Sequence, residues 1–323
     1  MANFRTRTGC PVCDAQTSQV VFERPYDDAR LKAALTAFYA RVGGLDYEAL
    51  SGALFRVLWC PECTLVYQSE IPDDHLLEQL YEEWINPELA RTRLHTGHSP
   101  DQVSRLVREV AISASLLPAT APTRWLDYGC GWGEWSLAAQ KLGRETWGTE
   151  LSRTRRAHAS SAGVVIVGDT ELPDSGFGLI NLDQVLEHVP QPRTTIALLA
   201  KKLHRDGVLR IAVPNGWRVR SALHRFDREL LQPRLGRLNP IAPLEHLNCF
   251  TTRSLERLAS SCGLGRVRPT WSALWQTFQV PSGTVPKLKA LAYPFYLRSA
   301  RSTVLFFRAD SNLTPRPATS VWS

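Results

Sequence analysis

The chain has 323 residues, 44% of them hydrophobic and 21% charged, which suits one large globular domain plus an accessory module. No apolar run approaches the roughly 18 residues of a membrane span, and the opening residues MANFRTRTGC lack the apolar stretch of a secretory signal, so cytoplasmic residence is expected. The net charge of +7 is uneven: residues 1–160 carry 17 Lys and Arg against 20 Asp and Glu, whereas residues 161–323 carry 21 against 11. The basic second half suits an anionic partner (a phosphorylated or nucleotide-linked small molecule, RNA, or a membrane surface) or is simply a solvated basic face.

Taken in order, the chain opens with two C-x-x-C pairs, Cys10-Pro-Val-Cys13 and Cys60-Pro-Glu-Cys63, separated by 46 residues. Each pair sets two thiolates on one tight turn, and two such turns complete a tetrahedral S₄ shell for Zn²⁺. Four thiolates leave no open position, so this metal is expected to be structural. A reducing compartment argues against disulfides, and neither pair follows a core strand into a helix, as a redox pair would. The intervening segment predicts extended chain over 18–23 and 53–59 around a helix over 28–42. Residues 65–67 read as a returning strand. Pro72 and a helix over 73–81 follow, and residues 85–122 are polar and helical in pattern, with His95 and His98 read as surface or lid residues. Residues 101–117 form an amphipathic helix stopped by Pro118.

From residue 124 short apolar strands alternate with helices: strands near 124–128, 145–149, 164–168, 177–182 and 207–213, helices near 134–142, 152–161 and 191–204. Such alternation predicts a parallel sheet with right-handed crossovers and ligands at the carboxyl ends of its strands. The first strand runs into Asp127-Tyr128-Gly129-Cys130-Gly131-Trp132-Gly133, where glycines admit positive φ and close approach of a ligand to the backbone. Gly133 comes two residues after Gly131, where the dinucleotide fingerprint wants three. Glu150, 21 residues past Gly129 at the next strand's tip, is placed to take the two hydroxyls of a ribose.

The D-x-G-C-G-x-G run resembles the first motif of class I S-adenosylmethionine (SAM) dependent methyltransferases. The resemblance implies an α/β Rossmann-like, doubly wound and mostly parallel seven-stranded sheet, preceded by a small Cys₄ zinc-ribbon-like module. C-x-x-C pairs followed by an apolar strand, a Pro and an Asp-Asp-led helix ending in Tyr, here Cys60 to Tyr81, also stand ahead of many bacterial methyltransferase domains. The implied division is a zinc module over 1–72, a helical linker or lid over 73–122, a methyltransferase domain over 123–310 with a substrate-facing cap at 215–248, and a disordered tail over 311–323. The implied cofactor face comprises Asp127, Gly129, Cys130, Gly131, Gly133, Glu150, Asp169 after the third strand, and Asp183 at the end of the fourth. Cys130, like Cys249 and Cys262, reads as a buried space-filler and not as a nucleophile.

Asn181 to Val189 resembles the V-L-E-H-V element of relatives that methylate oxygen or carbon of small molecules. It places Glu187 and His188 beside the methyl group, His188 as a base or a loop brace. Glu245-His246, ahead of Phe250-Thr251, resembles a segment that enters the same pocket, and His246 is the stronger candidate for acceptor contact or proton removal. The Asn-Pro-Pro-Tyr element of amino-nitrogen methyltransferases is absent. The expected acceptor is a small metabolite, a sugar or nucleotide-linked sugar, with phosphates met by Arg218, Arg220, Arg225 and Arg228. Three alternatives stay open: an RNA base methyltransferase docking RNA on its zinc module, a SAM-binding protein without transfer activity, and peripheral membrane attachment through residues 287–301. Thr251 to Cys262 predicts a helix with Gly263 at its end. Extended segments over 266–280 and 303–308 flank a proline-interrupted helix at 284–300. The oligomeric state is left open by the sequence.

Overall fold

The computed structural model describes residues 3–86, 88–89, 100–277 and 284–316. His95 and His98 lie outside the described residues. Thirteen strands are described: β1 (Phe4–Thr6), β2 (Gln19–Pro25), β3 (Leu54–Trp59), β4 (Val66–Gln68), β5 (Glu70–Pro72), β6 (Arg124–Tyr128), β7 (Glu145–Thr149), β8 (Val165–Ile166), β9 (Phe177–Asp183), β10 (Leu203–Ala212), β11 (Asn248–Cys249), β12 (Leu264–Val267) and β13 (Val304–Ala309).

Seven of them form one sheet in the order β12-β13-β10-β9-β6-β7-β8. The run β10-β9-β6-β7-β8 is parallel, and β13 alone runs against its neighbours. This is the Rossmann-like α/β sheet that the strand–helix alternation requires. Its central strand, Phe-Gly-Leu-Ile-Asn-Leu-Asp, is buried over its first six residues, as a strand covered on both faces must be. The chain steps from β6 outward to β7 and β8, then returns to β9 on the other side of β6. The crevice between the carboxyl ends of β6 and β9 is therefore the switch point, where ligands of such sheets bind.

The predicted helices fall at Ala29–Tyr39, Pro100–Ala114, Glu134–Gln140, Arg153–Ser161, Pro192–Lys202, Thr252–Ser261 and Thr284–Arg298. Asp28 caps the first by accepting from Arg30 N and Leu31 N, and Thr251 forms a capping box with Ser254. One reading needs correction. The extended segment expected over 266–280 stops at Val267, and Trp271–Gln276 is a helix, because the Thr270 hydroxyl accepts from Ala273 N and starts a new turn.

The N-terminal segment is built into the larger unit. β11, from the chain just before Phe250, pairs with β4 to complete a second sheet, β11-β4-β3-β2. One hydrophobic core holds Cys10, Cys60, Cys63, Leu65 and Tyr67 together with Leu126, Ile180, Leu182, Phe250 and Leu258. Residues 215–248 fold into short helices at Val219–Leu223 and Phe226–Leu230 and a tight run at Pro233–Ile241. These pack through Leu223, Phe226, Leu238 and Ile241 on Leu31, Leu35, Tyr39 and Phe55. Among the described residues no helix is long and apolar enough to cross a membrane.

Candidate active site

The switch-point crevice is lined first by the glycine turn. Gly129 and Gly131 take φ of 72° and 55°, a region that side chains with a Cβ avoid. A Cβ on Gly129 would stand 2.6 Å from Val185 Cγ2, so that glycine is demanded by the loop after β9. A Cβ on Gly131 would meet nothing within 4 Å among the described residues, so the turn is open there to a ligand. Glu150 lies against it: Oε2 accepts from Gly131 N at 2.9 Å and Oε1 from Ser152 N at 2.9 Å. Asp169 lies on the same side, with Oδ2 accepting from Tyr128 OH at 2.8 Å.

Asp127 faces inward. Its Oδ1 accepts from Asn181 Nδ2 at 2.8 Å and its Oδ2 from Ser136 Oγ at 2.9 Å, and burial pushes its carboxyl up to about 6. Behind it, Arg210 Nη1 donates to Asn181 Oδ1 at 2.6 Å and to Asp183 Oδ2 at 3.0 Å, while Nη2 donates to Glu109 Oε2 at 2.8 Å. This buried network locks the ends of β6, β9 and β10 to the Pro100–Ala114 helix. The Cys130 side chain packs with Ala159 and Val164, away from the opening.

The loop after β9 meets the loop before β11 on the other side. Glu187 is 1% exposed, among the described residues no other residue donates a hydrogen bond to its oxygens, and burial pushes its carboxyl up to about 8. His188 Nδ1 lies 3.0 Å from the carbonyl of Glu245 and 2.9 Å from Tyr81 OH. His246 Nδ1 donates to the carbonyl of Asn239. The two imidazoles meet edge to face with ring centres 4.7 Å apart. Burial draws their pKa down to about 3 for His188 and about 4 for His246, so both are neutral near pH 7. Glu245 Oε1 accepts from Tyr39 OH at 2.5 Å.

The N-terminal segment holds both loops. Arg7, 3% exposed, donates from Nη1 to Leu247 O at 3.2 Å and Asn248 Oδ1 at 3.0 Å, and from Nη2 to Pro190 O at 2.6 Å. Gln68 Nε2 donates to the His246 carbonyl at 3.0 Å. Asn248 Nδ2 donates to Leu186 O and Val189 O at 3.2 and 2.7 Å.

With this geometry in place, a family model described as a methyltransferase domain matches residues 96–267, a little over half of the chain. The chain belongs to the methyltransferase-domain family. Several solved structures are similar to parts of the chain. A magnesium protoporphyrin IX methyltransferase from Synechocystis PCC 6803 shares 15% identity over 74% of this chain and 100% of its own, with a TM-score of 0.45. A SAM-dependent methyltransferase from Mesorhizobium loti shares 16% over 62% and 97%, with a TM-score of 0.42. The chain spans about half of another match, the PH0226 protein of Pyrococcus horikoshii OT3, at 18% identity over 27% of this chain and 47% of that one, with a TM-score of 0.25. No curated protein matches in sequence.

In this methyltransferase the two C-x-x-C pairs come together. Asp14 and Thr64, each directly after a second cysteine, take φ of 60° and 66° and donate back to Cys10 O and Cys60 O, both at 2.9 Å. The two turns are thus copies of one knuckle. Cys10 and Cys63 Sγ lie 3.5 Å apart and Cys13 and Cys60 Sγ 3.6 Å apart, and all four fall within 4.8 Å of one another. Tetrahedral Zn–S bonds of about 2.3 Å set sulfurs about 3.8 Å apart, so the cluster fits zinc.

The crevice therefore gathers Gly129, Gly131, Glu150 and Asp169 on one side and Glu187, His188, Glu245 and His246 on the other. Asp127 and Asp183 lie behind the first group, tied to Asn181 and Arg210. Tyr39, Arg7 and Gln68 are absent from the sequence reading because no local pattern marks them, and Tyr81 enters it only as the end of a helix, with no role at the site. They reach the site from 107 to 240 residues away in sequence.

Proposed function

We propose that this methyltransferase binds SAM on the glycine turn and transfers its methyl group to a small oxygen-bearing metabolite held by the loops of Glu187–His188 and Glu245–His246. The open face of Gly131 beside Glu150 carries the reading. The sulfonium of SAM supplies an already activated methyl group. Gly131 lets the backbone lie against the cofactor, Glu150 keeps lone pairs free for ribose hydroxyls, and Asp169 stands where an adenine amino group would be met. Asp127 and Asp183 act from behind by fixing the turn. The acceptor face presents electron-pair donors: with each Nδ1 turned to a carbonyl, the two histidines offer Nε2 to an incoming hydroxyl. Positioning of the acceptor on this face supplies much of the rate in an in-line displacement.

A sugar or nucleotide-linked sugar is the narrower reading. Its support is an open cleft of about 480 Å³ lined by Arg225, Arg228 and Arg237, in the insertion whose Asn239 carbonyl holds His246. Arg220 stacks instead on Trp59, with its guanidinium 3.9 Å from the ring centre. The Cys₄ cluster would hold zinc in a purely structural role.

Calorimetric titration with S-adenosylhomocysteine tests the cofactor side. Glu150→Ala removes hydrogen bonds to a charged acceptor, each contributing about 1.5–3 kcal/mol, so affinity falls at least about 10-fold. Gly131→Val, which fills the open face, abolishes binding. Unchanged affinity in both variants would refute the placement. Incubation with methyl-labelled SAM and a cell extract tests the acceptor: label in the acid-soluble pool is expected, and label in RNA would overturn the small-molecule reading.

A further inference from the structure

We propose that Glu187, His188 and His246 form a second metal site, distinct from the Cys₄ cluster, that takes a divalent ion of the zinc or cobalt kind and leaves open positions toward the acceptor. The proposal deepens the acceptor-face reading above, with the ion on the two Nε2 atoms, in place of the bare nitrogens, as the group that meets the acceptor oxygen, and it rests on that reading for the role of the ion, though not for its binding. Three side chains, from two loops 57 residues apart, bring one donor atom each to within 4.8 Å of one another. His188 Nε2 already stands 3.9 Å from Glu187 Oε1. Bond lengths of about 2.0–2.2 Å set tetrahedral donors about 3.4 Å apart, so the three heads close by roughly 1 Å around an ion.

The tautomers are fixed for this purpose. Carbonyl oxygens only accept, so the contacts of His188 Nδ1 with Glu245 O and of His246 Nδ1 with Asn239 O put the hydrogen on Nδ1 in both rings, with Tyr81 OH, 2.9 Å from His188 Nδ1, as a second acceptor there. Each Nε2 is left with its lone pair available to a ligand. A metal-binding histidine shows the same outer-shell pattern, in which the second nitrogen donates to a carbonyl or carboxylate.

Glu187 supplies the independent observation. Its side chain is 99% buried, next to the histidines, and among the described residues its oxygens meet no donor from any other residue. Buried polar groups are ordinarily satisfied, and a carboxylate without a partner is costly. Hydrogen bonds are spent freely on the surrounding backbone: Asn248 alone holds Leu186 O, Val189 O and, through its own N–H, Glu187 O at 3.0 Å. An ion between the carboxylate and the two Nε2 atoms satisfies all three heads together. Two imidazoles with one carboxylate suit zinc, cobalt or ferrous iron, whereas magnesium and calcium want oxygen alone. Three protein ligands leave room for exogenous oxygen ligands, in contrast to the closed Cys₄ shell.

The test is metal stoichiometry on the full chain, by mass spectrometry of the metal after equilibrium dialysis against micromolar Zn²⁺. Wild type is expected to hold two zinc ions per chain. Glu187→Gln and His246→Ala are each expected to hold one, with affinity for the second ion down at least about 10–100-fold, the loss seen even for outer-shell changes. Glu187→Gln keeps the size and shape of the side chain and replaces one carboxylate oxygen by an amide that cannot ligate as an anion. Retention of the first zinc reports that the variants are folded. Co²⁺ added to protein that carries one equivalent of zinc, in the Cys₄ cluster alone, should give visible d–d bands without thiolate charge-transfer absorption, and these bands should vanish in both variants. One zinc in wild type, or a second zinc kept by both variants, would overturn the proposal. S-adenosylhomocysteine titration of the same samples separates the two readings: wild type with a variant-sensitive second zinc and no cofactor affinity would refute the methyl-transfer reading and uphold the metal site.

Discussion

Arg210 and Asp127 show how a buried polar cluster holds an open crevice in shape. Arg210 is 1% exposed on a central strand and reaches Glu109, Asp183 and Asn181, and Asn181 passes the constraint to Asp127. Removing one member of a buried ion pair strands the others. Arg210→Ala should therefore lower stability by about 3–5 kcal/mol in urea denaturation, and Arg210→Met combined with Glu109→Gln should recover most of it. Asp127 carries a pH signature. Its folded pKa of about 6 lies above the ordinary 3.8, so the protonated form is favoured in the folded chain. Its contribution to stability is full below about pH 4 and is lost as pH rises through 6, a change of about 2–3 kcal/mol. Asp127→Asn, which can still accept from Asn181 and donate to Ser136, should flatten the denaturation profile between pH 4 and 6.5. An identical slope in the variant would refute the assignment.

At the scale of elements, the local rules written into the sequence were honoured. Asp28, three residues ahead of Leu31, caps the Ala29–Tyr39 helix through two backbone N–H groups. Those donors lower its pKa, Leu31 N foremost, so the cap contributes above the ordinary carboxylate range and is lost as pH falls through the depressed folded value. Asp28→Ala should cost about 1 kcal/mol at pH 7 and nothing in strong acid, read from thermal denaturation at both pH values. The strands of the parallel sheet were legible for the same local reason: each is a short apolar run bounded by turn residues. The helix at Trp271–Gln276 was not, because WSALWQ carries as much aromatic and apolar character as a strand and only the Thr270 cap decides.

The whole molecule couples parts that the sequence keeps separate. The knuckle cysteines share a core with the central strands, and Arg7 and Gln68 hold the backbone of the loops that carry His188 and His246. Removal of zinc by a chelator should therefore lower the melting temperature of the entire chain by roughly 10 °C in one calorimetric transition. Two separate transitions would refute a shared core. Arg7→Met, which removes the donor to Leu247 O, Asn248 Oδ1 and Pro190 O, should reduce methyl transfer at least about 10-fold while S-adenosylhomocysteine affinity stays within about 3-fold, since the glycine turn is untouched.

The sequence by itself determined the parts whose chemistry is local. The glycine spacing after Asp127, Glu150 one strand later, the alternation of strand and helix, and the paired cysteines each need only neighbours within a turn to act, so they can be read along the chain. Which of these residues face a ligand was decided by the tertiary structure. Asp127 turns inward because Asn181 and Ser136 complete its hydrogen bonds, and Cys130 turns into a small cluster with Ala159 and Val164. The meeting of Glu187, His188 and His246, and the arrival of Tyr39, Tyr81 and Arg7 behind them, depend on β11 pairing with β4 across the molecule. No periodicity or spacing records such a contact, because it is made by packing two surfaces that only the completed fold brings together.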